Sequence, residues 1–165
     1  MTKKLTPRRI VGFLIMIVSA LFLIWLLWPR SFAQTLPGFG REPLQQIHGY
    51  LFTTDDRESR SISFNPGSPE AETLLDLLQS TRYQRILTLK DWRTITLEYE
   101  IHLTFTLGEE ENRSIQCFSI TGDPFIDVHG SSTFNRTYSA YGGEEFQQNL
   151  LDFLLTQDYT AVPEG

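Results

Sequence analysis

The chain has 165 residues, with 14 Lys and Arg against 20 Asp and Glu and a formal net charge of −6 at pH 7. The two signs are segregated: five basic residues lie at or before Arg30, and every acidic residue lies beyond it. The remainder therefore holds nine basic against twenty acidic residues, a net charge of −11. A body that acidic excludes nucleic acid as a partner, because binding to phosphates rests on Lys and Arg, and it is repelled by anionic headgroups. Cys117 is the only cysteine, so no internal disulfide forms. A domain of about 120 residues buries enough core to do without one.

Residues 10–28, IVGFLIMIVSALFLIWLLW, carry no charged side chain. At a helical rise of about 1.5 Å per residue the run spans about 28 Å, close to the hydrocarbon thickness of a bilayer. Ile10 opens it, and Trp25 and Trp28 close it where amphipathic rings favour the headgroup layer. Lys3, Lys4, Arg8 and Arg9 precede the run, and only Arg30 and Arg41 follow within reach. That asymmetry predicts a cytoplasmic N-terminus, residues 1–9, and an exported C-terminal body. The rival reading is a signal peptide cleaved after Ala33 in Ser31-Phe32-Ala33, which would secrete the body; the apolar stretch is longer than the usual h-region, which favours an uncleaved anchor. A buried core helix is the third reading, opposed by the basic flank and the Trp pair.

Residues 29–44 mix Pro, Gly and small polar residues without a period and read as a linker holding the domain off the bilayer. One domain is then expected over residues 45–160, with a short tail at 161–165. Residues 47–54 and 61–64 read as strands. Ser68-Pro69-Glu70 is a helix start, with Ser68 as cap and Pro69 at the first helical position. The helix should run to Ser80 and bury Ala71, Leu74, Leu75 and Leu78.

A short strand is predicted over residues 85–90, and the longest strand pattern follows over 95–107. There Ile95, Leu97, Tyr99, Ile101, Leu103, Phe105 and Leu107 alternate with Thr96, Glu98, Glu100, His102, Thr104 and Thr106. A period of two that long specifies one dry face and one wet face. Further strands are expected over 114–120, 125–129 and 133–138. Gly142-Gly143 then breaks the pattern before a second helix, 144–156, with Phe146, Leu150, Leu151, Phe153 and Leu154 inward. Strands in runs, without regular helix alternation, predict an α+β fold: a transmembrane helix, then one small domain with a mainly antiparallel sheet and two helices packed on one face.

Candidate sites are few. Asp127 and His129 share a strand face and could supply half of a metal site or an acid–base pair, but a metal needs three or four convergent ligands. Ser131 and Ser132 lie too close in sequence to assemble a triad with them, and no nucleophile elbow exists. Glu98, Glu100 and His102 line the expected wet face and could bind metal or a partner; a solvated polar row is the simpler use. Tyr138 and Tyr141 flank a Gly-rich turn and could form a binding patch, or pack in the core. Glu109-Glu110-Glu111 lacks the alternating ligands of a calcium loop. No cofactor motif is present, and none is expected.

The expected function is a membrane-anchored, non-catalytic binding module of the cell envelope, its partners the bilayer and an envelope or membrane protein. The alternatives are a small extracytoplasmic hydrolase using Asp127 and His129, and an accessory subunit of a membrane complex. In plan the chain resembles single-pass envelope proteins of Gram-positive bacteria: basic head, anchor, linker and small α+β domain. That likeness covers the plan and implies no activity.

Overall fold

The structure, a computed structural model, describes residues 7–53, 59–86, 99–109, 114–121, 125–130 and 135–162. In chain order the elements are α1 (Pro7–Leu27), α2 (Phe32–Thr35), β1 (Leu44–Thr53), β2 (Ser59–Phe64), α3 (Pro69–Ser80), β3 (Tyr83–Arg85), β4 (Tyr99–Leu107), β5 (Ser114–Thr121), β6 (Phe125–Gly130), β7 (Asn135–Ala140), α4 (Gly143–Leu155) and β8 (Thr160–Val162). The fold is α+β, as expected. The strands form one sheet in the order β3-β7-β6-β5-β4-β1-β2-β8, and every pairing is antiparallel.

Alternation along the strands builds the dry face. Ile101, Leu103, Phe105 and Leu107 of β4 are all fully buried. Their cross-strand partners include Leu51 and Ile47 on β1 and Ile120 and Phe118 on β5, so apolar side chains meet apolar side chains along the ladders. The part of the long pattern at Ile95 to Glu98, and Trp92 before it, lie outside the described residues.

Both helices cover this face. The Ser68 hydroxyl accepts from the Ala71 backbone N–H at 3.2 Å, and Glu70 and Glu72 sit in the first turn, where negative charge is favoured. Ala71, Leu74 and Leu78 point into the core from α3, and Phe146, Leu150 and Leu154 from α4. Leu75, Leu151 and Phe153 pack at the margin. Gly142 enters α4 with φ +81°, a left-handed conformation that glycine adopts without a Cβ penalty. Beneath the helices lies Tyr83, whose hydroxyl donates to the Leu78 carbonyl at 2.6 Å; burial pushes its phenol far above the usual tyrosine range.

Three expectations differ from what is found at the ends and edges. The segment expected as a linker is part of the domain: Arg30 pairs with Tyr83 through two backbone hydrogen bonds, 2.8 and 2.9 Å, extending the sheet beyond β3. Two residues later Phe32 is fully buried, with ring centroids 5.0 to 6.1 Å from those of Phe39, Phe105, Phe118 and Tyr83. Phe32 opens the four-residue helix α2, Leu36 is its extended C-cap, and Phe39 follows a turn through Gly38 at φ +86°, so a short helix and a turn together bring Phe32 and Leu36 into the core and Phe39 against it. The residues read as a tail begin within β8, which pairs with β2. The predicted strand at 85–90 instead begins at Tyr83, and residues 87–90 are outside the described set.

Among the described residues one helix, Ile10–Leu27, is long and apolar enough to cross a membrane. Leu26 is its only buried residue, which removes the buried-core reading; Ile10, Trp25 and Trp28 are exposed to 47%, 62% and 64%.

Candidate functional site

The polar face of the sheet carries the chemistry. Register aligns six side chains in one row across six strands: Ser61 on β2, Tyr50 on β1, His102 on β4, Ser119 on β5, Asp127 on β6 and Thr137 on β7. At about 4.8 Å between strands the row is about 24 Å long. All three histidines of the chain lie on strands of this face. His48 of β1 is registered between Ser63 and Thr104, and His129 of β6 is two residues from Asp127.

Hydrogen bonds fix the middle of the row. Glu100 Oε1 lies 2.7 Å from His102 Nε2, and Ser119 Oγ lies 2.5 Å from His102 Nδ1. With Glu100 ionised, Nε2 must carry a proton to donate to it. In the neutral ring Nδ1 then accepts from the Ser119 hydroxyl, and in the imidazolium it donates to Ser119 Oγ. The result is a continuous carboxylate–imidazole–hydroxyl chain. Tyr50 stands beside His102 with ring centroids 6.2 Å apart, and its hydroxyl donates to Ser59 Oγ at 2.7 Å. Asp127 is buried and accepts from Thr137 Oγ1 at 2.7 Å. His48 is clasped by two serines, with Nδ1 3.1 Å from Ser63 Oγ and Nε2 3.2 Å from Ser61 Oγ.

Burial limits what this constellation does. Glu100 and His102 keep 30% and 34% of their side-chain exposure, whereas Ser119 keeps only 8% of its residue surface. Acyl transfer needs backbone or side-chain donors aimed at a developing oxyanion. Ser119 sits on β5 between β4 and β6, so the backbone N–H groups around it are engaged in ladders on both sides. The arrangement holds and orients polar atoms, and the laddered backbone of β5 supplies no oxyanion donors beside Ser119.

The expected site residues are distributed unevenly. Glu100 and His102 come together as read, while Glu98, Ser131 and Ser132 lie outside the described residues. Asp127 and His129 share the expected face, and among the described residues no group of three His, Cys, Asp or Glu is arranged to hold a metal ion. Tyr138 and Tyr141 are separated. Register with Ile126 and Arg85 turns Tyr138 into the core, fully buried, and Tyr141 is half exposed in the turn before α4. A binding patch of both tyrosines is thereby corrected, because one belongs to the dry face. Sequence reading missed Ser61, Ser63 and Ser119 as partners of histidines. The signal was Ser59, Ser61 and Ser63 at alternate positions, which acquires meaning only once β2 is registered on β1. Gln147 was missed too: it is buried on α4 and its Oε1 accepts from the Tyr99 hydroxyl at 3.3 Å.

Comparison of the chain with family models, with curated proteins and with solved structures finds no match.

Proposed function

We propose that this chain is a single-pass membrane protein with its N-terminus in the cytoplasm. Its acidic domain stands outside as a non-catalytic binding module of the cell envelope, holding the polar sheet face toward a protein or envelope partner. The observation that carries the reading is the polar row centred on Glu100, His102 and Ser119, hydrogen-bonded across strands whose own backbone is engaged in the ladders. Rigid polar groups on a sheet recognise a partner at low ordering cost, because their rotamers are already restricted. Retention of the anchor is supported by the core itself. Cleavage after Ala33 would remove Phe32, an aromatic ring in contact with four others, and would cut the segment that pairs with β3.

A photo-crosslinking residue placed at Thr104, next to His102 on the polar face, tests the reading in intact membranes. The expected result is one discrete adduct, lost when His102→Ala is added, and none from the same probe at Glu72 on α3. No adduct from Thr104, or the same adduct from both positions, overturns it.

One observation favours a second reading, a small hydrolase. The Glu100–His102–Ser119 chain places its three groups in the order of an orienter, a base and a nucleophile. In this reading Ser119, not Asp127 or His129, is the reacting group. Covalent labelling of Ser119 by a fluorophosphonate, abolished by His102→Ala, would establish it; an unlabelled chain rejects it.

A further inference from the structure

Where α1 ends and the domain begins there is a cavity of about 540 Å³, lined by Trp25, Trp28, Leu36 and three arginines, Arg30, Arg41 and Arg136. Among the described residues no acidic side chain lines it, and the Glu42 carboxylate lies against Gly38 of the wall. We infer that this cavity binds the phosphorylated headgroup of an anionic membrane lipid, an inference that rests on the membrane reading above.

Three features converge on it. The first is charge. A body with a net charge of −11 brings three arginines to one cavity wall, Arg30 just after α1, Arg41 in the loop before β1 and Arg136 on β7, the last of them with a further contact of its own. Guanidinium forks match phosphate oxygens in geometry and charge, and their weak hydration lowers the cost of leaving water. The second is preorganisation: the Arg30 guanidinium lies 5.5 Å from the centroid of the Trp25 ring, and the Arg30 backbone is held in the sheet by its pairing with Tyr83. The third is position. Trp25 and Trp28 close the apolar helix where indole rings take the headgroup layer, so the opening faces phosphates while the exposed apolar side chains of α1 run alongside for the acyl chains. The volume falls within the range of small-molecule sites. General repulsion between the acidic domain and an anionic bilayer is thereby reversed at one point, and the domain is seated in a single orientation. The shared chemistry is a phosphate oxyanion, which free inorganic phosphate also offers. The lipid is favoured because the cavity abuts the apolar helix.

The test uses the full chain in nanodiscs of phosphatidylcholine with a minor share of phosphatidylglycerol, and reads the lipids retained on the protein by native mass spectrometry. Phosphatidylglycerol is expected to be enriched over its share of the disc, and Arg41→Gln and Arg136→Gln are each expected to lower that enrichment about fivefold. Arg60→Gln, on β2 at the opposite side of the sheet, should leave it unchanged. Equal retention of both lipids, or enrichment indifferent to Arg41 and Arg136, overturns the headgroup site while leaving the membrane reading intact, provided alkaline carbonate fails to extract the chain. Extraction by carbonate overturns the membrane reading and the site with it. Retention of inorganic phosphate by the detergent-solubilised chain, with no lipid preference in discs, overturns the lipid as the source.

Discussion

The two faces of the sheet are built by the same strands and held together differently. On the helix-covered face, side chains such as Leu51, Ile101 and Ile120 meet across strands and exclude water; each is worth what its burial is worth, largely independent of direction. On the other face, Tyr50, His102, Ser119 and Asp127 meet across the same strands, and each depends on a named partner at a named distance. The difference teaches how damage should register: removing volume from the first face costs stability through lost packing, and removing a polar atom from the second costs stability through the partner it leaves unsatisfied.

The most severe expected loss comes from Phe32→Ala, which should lower the unfolding free energy by about 3–5 kcal/mol because it leaves a cavity among four aromatic rings. Denaturant unfolding of the full chain in detergent measures it. A loss below about 1 kcal/mol would mean that residues before β1 do not belong to the dry core. Next comes Thr137→Val, which keeps the shape and removes the hydroxyl that satisfies buried Asp127. Its expected cost is about 1.5–3 kcal/mol, the range for a hydrogen bond to a charged group. The smallest effect has the opposite sign. Among the described residues the buried Tyr138 hydroxyl has no hydrogen-bond partner, so Tyr138→Phe should raise stability by about 1 kcal/mol; a loss of that size would show that the hydroxyl is satisfied after all.

Much of the dry face was legible because each of its signals is local. Ile101 to Leu107 alternate within one strand, and Ser68, Pro69 and the leucines of α3 state a cap, a first turn and a stripe within a dozen residues. The polar row was not legible, because its unit is the register. Ser119 and His102 are seventeen residues apart and His48 and Ser63 fifteen, and nothing in either strand alone states which positions face each other. Residues 31–39 were misread for another reason: a four-residue helix and the turn after it are too short to show a period, and Phe32, Leu36 and Phe39 reach the core through a turn at Gly38, not along one helix face. β8 has three residues, too few to show any period.

That misread segment decides the account. If the domain's core reaches back to Phe32 and the chain stays in the membrane, the anchor and the domain are one inseparable unit. Intact mass of the protein isolated from membranes tests this directly: the account predicts a mature chain that retains α1 and Phe32, and a mature chain beginning at Gln34 would contradict it.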